Sequence, residues 1–133
     1  MDPIKDLLHL YSDAVCRLDA DQWTDTWCDS GIWDLGHGEP VSGRESLRSF
    51  WITSMSRFEK VIHTYSNSIS DLDNNLGSGS GRAYVTEWLK PKEGDPLVLH
   101  GFYDDEYVFE NNKWLFSKRT LNRVYMGKPD LSS

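Results

Sequence analysis

The sequence lacks several features that mark familiar classes of protein. It has only two cysteines, Cys16 and Cys28, and no basic cluster interrupts a net charge of -7. We interpret both cysteines as small buried apolar residues rather than a disulfide, and expect no nucleic-acid partner, because phosphate recognition needs a basic patch. No apolar run could span a membrane, and no basic segment followed by an apolar core begins the chain. We therefore expect a cytoplasmic protein with no membrane partner.

Aromatic residues are what the chain has in quantity, with six Trp, six Tyr and five Phe among 133 residues. A chain of this length supports one hydrophobic core, so we interpret residues 1–133 as a single domain. Hydrophobic residues make up 38% of the sequence, which indicates a compact fold around an aromatic interior rather than a disordered chain.

Apolar residues at three- and four-residue steps predict helices at the start of the chain. Asp2 followed by Pro3 is typical of a helix start, and the predicted helix ends near Asp19. A second short helix is predicted to carry Trp23 and Trp27 on one face.

A strand bounded by glycines is predicted at residues 31–36, followed by a turn. The segment 42–45, Ser-Gly-Arg-Glu, has the spacing of a capping box. It predicts a third helix whose apolar face is formed by Leu47, Phe50, Trp51 and Met55.

Alternating apolar and polar residues predict strands in the rest of the chain, at residues 59–71, 82–90, 96–109 and 113–126. We interpret Gly77-Ser78-Gly79-Ser80-Gly81 as a flexible hairpin loop and the acidic run 104–106 as a solvated face. The prediction is an α+β fold. An antiparallel sheet is curled by strand twist and bulges into a cone that encloses a pocket, with the first helix across its concave face.

His63 and His100 each lie in one of these predicted strands, which could hold an imidazole rigidly toward the pocket. Each could instead be a core histidine satisfied by its neighbours. Together with Asp19 they also match the ligand types of a metal site with two histidines and one carboxylate. No short spacing preorganises such a site, so we expect no metal and no cofactor.

Several segments resemble the SnoaL-like branch of the NTF2-like superfamily. They are Leu10-Tyr11-Ser12-Asp13-Ala14 with Leu18-Asp19, Gly31-Ile32-Trp33-Asp34, Ser42-Gly43-Arg44-Glu45, Val61-Ile62-His63, Tyr103-Asp104-Asp105-Glu106-Tyr107 and Lys113-Trp114-Leu115-Phe116-Ser117-Lys118-Arg119. The resemblance implies the cone-shaped α+β fold. It also implies activities such as those of scytalone dehydratase, bile-acid dehydratase, hexachlorocyclohexane dehydrochlorinase and steroid isomerases, or a noncatalytic binding role.

The resemblance further implies site residues. Asp19 and His63 match a base dyad, and His100 matches a second histidine of the dehydratase. Arg119 matches an arginine of the dehydrochlorinase, and Asn122 falls near an asparagine of the dehydratase. Strand parity places these last two side chains on opposite faces unless a bulge intervenes, so at most one of them points inward.

A carboxylate that fixes the tautomer of His63 would make the imidazole a general base for removing a proton from carbon. We therefore expect a cofactor-independent lyase, dehydratase-like, or an isomerase, that acts on a small apolar cyclic substrate. The alternative is a noncatalytic ligand-binding or oligomerisation domain. Tyr11, Tyr65 and Tyr103 are candidate hydroxyl donors. The full set of predicted substrate-binding residues is Tyr11, Trp33, Tyr65, Phe102, Arg119 and Asn122.

We also expect a homo-oligomer. The convex face of the sheet would expose Trp88, Tyr84, Tyr107 or Phe109, depending on register, and broad apolar patches usually mark interfaces. The resemblance favours a trimer over a dimer.

Overall fold

A computed structural model describes residues 2–129, and its first helix begins where the sequence predicts. Helix α1 spans Pro3–Arg17, and the carboxylate of Asp2 accepts hydrogen bonds from the backbone N–H groups of Ile4 and Lys5. The helix ends at Leu18, whose backbone is left-handed with φ of 56°. The Asp2 cap satisfies backbone donors that the first turn of a helix leaves unpaired.

Two further helices follow, α2 at Ala20–Thr24 and α3 at Arg44–Met55. The capping box predicted for α3 does not form, because Gly43 is the N-cap residue and offers no side-chain acceptor. Trp27 lies outside α2, contrary to the prediction, and begins a strand. Its ring packs where Gly31 has no side chain, since a Cβ there would lie 2.8 Å from the indole.

Six strands form one sheet in the order β2-β1-β6-β5-β4-β3. Their bounds are β1 Trp27–Asp34, β2 Val41–Ser42, β3 Phe58–Asp73, β4 Ser78–Pro91, β5 Leu97–Glu110 and β6 Lys113–Gly127. Strands β3 to β6 form the predicted antiparallel meander. The prediction of a wholly antiparallel sheet is wrong at one pair, because β1 runs parallel to β6 and covers its free edge.

The predicted glycine-rich loop is also corrected, since Ser78 to Gly81 are part of strand β4. A Cβ at Gly81 would lie 2.5 Å from the carbonyl oxygen of Ile69 and 2.8 Å from the hydroxyl of Tyr107. These glycines therefore allow close packing within the sheet rather than flexibility.

The sheet has two different faces. The inner face, as predicted, is covered by α1, and it carries buried side chains that alternate with exposed ones on the outer face. The inner face and the helices enclose a core rich in aromatic rings, among them Tyr11, Trp23, Trp27, Trp33, Trp51, Tyr103, Tyr107 and Phe116. The fold is thus the expected α+β architecture, with helices packed on one face of a sheet that does not close on itself.

Candidate active site

His63 lies on β3, the edge strand of the sheet, and is 3% exposed. On an edge strand, every second residue directs its backbone polar groups away from the neighbouring strand. Helix α1 supplies the missing partners. The Sγ atom of Cys16 lies 3.2 Å from the backbone N of His63, and the hydroxyl of Ser12 donates to its carbonyl oxygen at 2.5 Å. Cys16 is exposed, which corrects the expectation that both cysteines are buried, whereas Cys28 is buried as predicted.

Ser12 also fixes the protonation of the imidazole ring. Its Oγ lies 3.0 Å from Nδ1 of His63. A hydroxyl has one proton, and Ser12 donates that proton to the backbone carbonyl, so its oxygen can only accept from Nδ1–H. We therefore assign the proton of His63 to Nδ1, which leaves the lone pair on Nε2. Within the described residues Nε2 has no hydrogen-bond partner.

Burial and charge keep this ring neutral. Burial, together with the positive charge of Arg119, lowers the pKa of His63 from 6.5 to about 3. The ring packs against Tyr65, with ring centroids 4.9 Å apart, and against Tyr11 at 5.6 Å. At neutral pH the side chain is therefore a neutral imidazole in aromatic surroundings and can accept a proton.

Arg119 lies on the inner face of β6, fully buried. Its Nε and Nη2 donate to the two carboxylate oxygens of Asp105 at 2.7 and 3.0 Å, and its Nη1 donates to the hydroxyl of Tyr65 at 2.8 Å. Burial acts to lower the pKa of Arg119, but Asp105, Tyr65 and Tyr11 together outweigh it and the pKa is raised. The interpretation of residues 104–106 as a solvated face is wrong for Asp105, whose carboxylate balances this buried cation.

The guanidinium of Arg119 is also surrounded by aromatic rings. Its central carbon lies 3.8 Å from the ring centre of Tyr103, 4.2 Å from that of Phe116 and 4.6 Å from that of Tyr11. Cation–π contacts of this kind hold a buried cation in place. The arrangement ties α1, β5 and β6 together, and Tyr11 and Tyr65 lie between Arg119 and His63. Contact of Arg119 with a substrate stays a prediction.

Asp19 is not joined to His63 in the structure. Its carboxylate caps α2 by accepting from the backbone N–H of Gln22 at 3.1 Å, and it pairs with Arg17 at 3.2 Å. The Nδ1 atom of His63 contacts Ser12 instead. The predicted hydrogen-bonded dyad is therefore not formed, because the competing helix cap holds Asp19 at the start of α2.

The outer face holds three residues that were predicted to line the pocket. His100 is opposite Thr86, and its Nδ1 lies 3.2 Å from the hydroxyl of that threonine. Phe102 and Asn122 are opposite one another on the same face. The prediction that His100, Phe102 and Asn122 face the pocket is thus wrong. Each lies one residue along its strand from an inward-facing position, so its side chain projects from the outer face. His63 and His100 lie on opposite faces and cannot share a metal ion.

Register resolves the remaining alternative between Arg119 and Asn122. Arg119 is opposite Asp105 on the inner face, and Asn122 donates to the carboxylate of Asp104 on the outer face at 3.3 Å. The parity argument, that at most one of the two points inward, is confirmed.

Three predicted contact residues do lie with His63 on the inside. Tyr11 and Trp33 are buried and Tyr65 is half-buried. Among the residues that the structure describes, the indole nitrogen of Trp33 has no hydrogen-bond partner, and the same is true of Trp23 and Trp27. Buried donors without an acceptor are costly to a fold.

Glu87 belongs to this region although the sequence reasoning missed it. It is directly opposite His63 on the neighbouring strand β4, and it is half-buried. The sequence pattern could have indicated it. Ala83, Val85, Glu87 and Leu89 alternate along β4 on one face, so Glu87 occupies a position where an apolar residue is expected.

A depression of about 560 Å³ lies at the same end of the sheet. Met126, which lines it, is opposite Leu99, and Leu99 is in turn opposite Glu87. The other lining residues are Arg57, Phe58, Pro91, Lys92, Glu93 and Leu97. A cavity of this size is in the range that accommodates a small molecule.

The family model of the SnoaL-like domain matches residues 1–120, so the chain belongs to the SnoaL-like domain family. It has the NTF2-like fold that the sequence predicts. No curated protein shows significant sequence similarity to it. Within residues 2–129, none of the helices combines the length and the apolar character needed to cross a membrane.

Solved structures show the same fold at low sequence identity. A scytalone dehydratase-like protein from Novosphingobium aromaticivorans is 17% identical, with a TM-score of 0.87 over 98% of this chain and 88% of its own. A type 3 hexachlorocyclohexane dehydrochlorinase from Novosphingobium barchaimii is 20% identical, with a TM-score of 0.83 over 94% of this chain and 86% of its own. An aromatic ring hydroxylase-like protein from Novosphingobium aromaticivorans is 22% identical, with a TM-score of 0.86 over 94% and 90%. Identities this low establish the fold and not the reaction.

Proposed function

We propose that the protein is a cofactor-independent lyase of the dehydratase type, which removes a proton from a small apolar cyclic substrate with His63 as general base. The alternative reaction is an isomerisation that begins with the same proton abstraction. The structural neighbours include a dehydratase-like protein and a dehydrochlorinase, and both names describe eliminations.

The observation that carries the proposal is the state of His63. Its Nδ1 is protonated by virtue of Ser12, its Nε2 lone pair has no partner among the described residues, and its pKa is low enough to keep it neutral. A neutral imidazole with one open nitrogen on a rigid strand is equipped for general-base catalysis. Because Ser12 occupies Nδ1, the proposal does not require the Asp19–His63 hydrogen bond.

The rest of the inner face fits an apolar substrate. Aromatic rings line the core around His63. The depression toward the same end of the sheet, which His63 itself does not line, has Phe58, Pro91, Leu97 and Met126 beside three charged residues. A mostly apolar cavity with a few polar groups is the usual form of a small-molecule site.

A noncatalytic ligand-binding domain is the second candidate. The observation in its favour is that Asp19 caps α2 instead of contacting His63, so the expected partner of the base is engaged elsewhere. Binding alone would need the cavity and the aromatic lining but not the open nitrogen of His63.

The test is turnover of a panel of cyclic hydroxyketones, chlorinated cyclohexanes and steroid-like ketones, with alkene formation followed by absorbance and mass spectrometry. His63→Ala should lower the rate by about 10²-fold or more. His100→Ala is the matched control, because it removes a histidine from the opposite face of the same sheet, and it should keep wild-type activity. Full activity in His63→Ala would contradict the proposal. Compounds that raise the melting temperature equally in wild type and His63→Ala, without turnover, would favour the binding domain.

A further inference from the structure

Register places a second titratable group next to His63. His63 on β3 and Glu87 on β4 are directly opposite, so their side chains project from the same face of the sheet. Helix α1 packs against β3 on that face. Glu87 has no hydrogen bond or ion pair within residues 2–129, in contrast to Asp105 deeper on the same face.

The backbone bonding shows that this pair is a close one. The N–H and C=O of His63 are bonded to Cys16 and Ser12 of α1, so they point away from β4. His63 and Glu87 therefore form a non-hydrogen-bonded antiparallel pair, the type in which facing residues approach to about 4.5 Å between Cα atoms. Their side chains are immediate neighbours.

The surroundings of Glu87 favour its protonated form. Burial raises the pKa of its carboxyl from 4.5 to about 7, against the opposing charge of Arg123. The titratable groups facing it are His63 on β3, Tyr103 on β5, Arg123 on β6 and Tyr11 on α1. Because the tyrosines and His63 are neutral near pH 7, Arg123 supplies the one opposing charge of this set, and a large fraction of Glu87 carries a proton.

We propose that Glu87 is the general acid that acts beside the base His63, and that the substrate is accordingly an alcohol whose hydroxyl leaves as water. This inference rests on the proposed lyase function. In the step, Nε2 of His63 takes a proton from carbon, the C–H electron pair forms the C=C bond, and the C–O bond breaks. The departing oxygen takes the proton of Glu87 and leaves as water. The imidazolium then returns its proton to the Glu87 carboxylate, and both groups regain their starting forms.

The leaving group decides whether an acid is needed. Hydroxide is a poor leaving group and gains from protonation as the C–O bond breaks, whereas chloride and acetate leave as stable anions. A base alone therefore serves a dehydrochlorinase, and a base with an adjacent acid serves a dehydratase. The pair of His63 and Glu87 fits the second class.

The experiment compares two leaving groups on one ring, β-hydroxycyclohexanone and β-acetoxycyclohexanone, which both give cyclohexenone. Glu87→Gln should lower elimination of water by about 10²-fold and change elimination of acetate by no more than about threefold. His63→Ala should lower both reactions by about 10²-fold or more. Glu106→Gln, which alters a glutamate on the outer face, is the matched control and should affect neither.

A selective loss of dehydration in Glu87→Gln supports the acid role. Equal loss of both reactions, or loss of neither, overturns it while leaving the lyase function in place. If the wild-type protein eliminates neither water nor acetate from these compounds, the result contradicts the lyase function.

The pKa of Glu87 is then measured separately by carbon NMR of its carboxyl group, and Glu87→Gln identifies the signal. Titration of Glu87 close to pH 7 is expected, and titration near the ordinary value of 4.5 would overturn its role as acid.

Discussion

The hydroxyl of Ser12 determines which nitrogen of His63 is available for chemistry. It bonds both the carbonyl oxygen and Nδ1 of the same residue, so the backbone and the ring are fixed by one side chain of α1. Sequence reasoning placed His63 on a strand, as the structure does, but assigned this orienting role to Asp19. A serine on a helix carries no pattern that distinguishes it from a solvent-facing one, so only the packing of α1 on β3 reveals the contact.

Ser12 is therefore a positioning residue. Its removal should allow His63 to populate both imidazole tautomers without unfolding the protein. In Ser12→Ala we expect both imidazole tautomers in nitrogen NMR spectra and a rate of elimination lower by about tenfold, with KM nearly unchanged. Ser12→Thr keeps the hydroxyl and should restore a single tautomer. An unchanged tautomer in Ser12→Ala would contradict this role.

Strand β5 carries two neighbouring aspartates in opposite environments. Asp105 is buried and bonded to Arg119, whereas Asp104 is exposed and pairs with Arg82 at 2.9 Å. Asp105→Asn leaves a buried guanidinium without its counter-charge, so the free energy of unfolding should fall by about 3–5 kcal/mol. Asp104→Asn removes an exposed pair and should cost less than about 1 kcal/mol. Urea unfolding of the two variants measures the difference, and similar losses would contradict the account.

The elements of the fold were predictable to different degrees. The alternation in β3 to β6 and the cap at Asp2 predicted the meander and α1, because these patterns are local. The parallel pairing of β1 with β6 depends on where the chain returns, which no local pattern records. The same limit affected the site. Parity separated Arg119 from Asn122 on one strand, but it could not relate His63 on β3 to His100 on β5 without the register between strands.

Protonation of His63 links the site to the stability of the whole molecule. Its pKa is lowered from 6.5 in the unfolded chain to about 3 in the fold, so between these values only the unfolded chain binds the proton. The stability contributed by neutral His63 is complete above about pH 6.5 and is lost as the pH falls toward 3. His63→Gln should therefore show a smaller fall in melting temperature than wild type across this window. Parallel curves would contradict the low pKa.

The outer face of the sheet bears on assembly. On this face Trp88 is 43% exposed and Tyr84 37%, whereas Tyr107 and Phe109 both belong to the inner face by strand parity. We expect a homo-oligomer formed through this face, with a trimer favoured over a dimer. Trp88→Glu should dissociate it in light-scattering measurements, and Leu76→Glu, a change at an exposed turn, should not. A wild-type monomer at micromolar concentration would contradict the expectation.

The central claim is that His63 is a neutral imidazole with its proton on Nδ1 and its lone pair on Nε2. Nitrogen NMR of histidine-labelled protein tests it directly and needs no substrate, with His63→Gln identifying the signals. The account predicts a single neutral Nδ1–H form at about pH 6 that stays neutral well below the ordinary histidine pKa. Titration of His63 near 6.5, or a proton found on Nε2 at neutral pH, would contradict it.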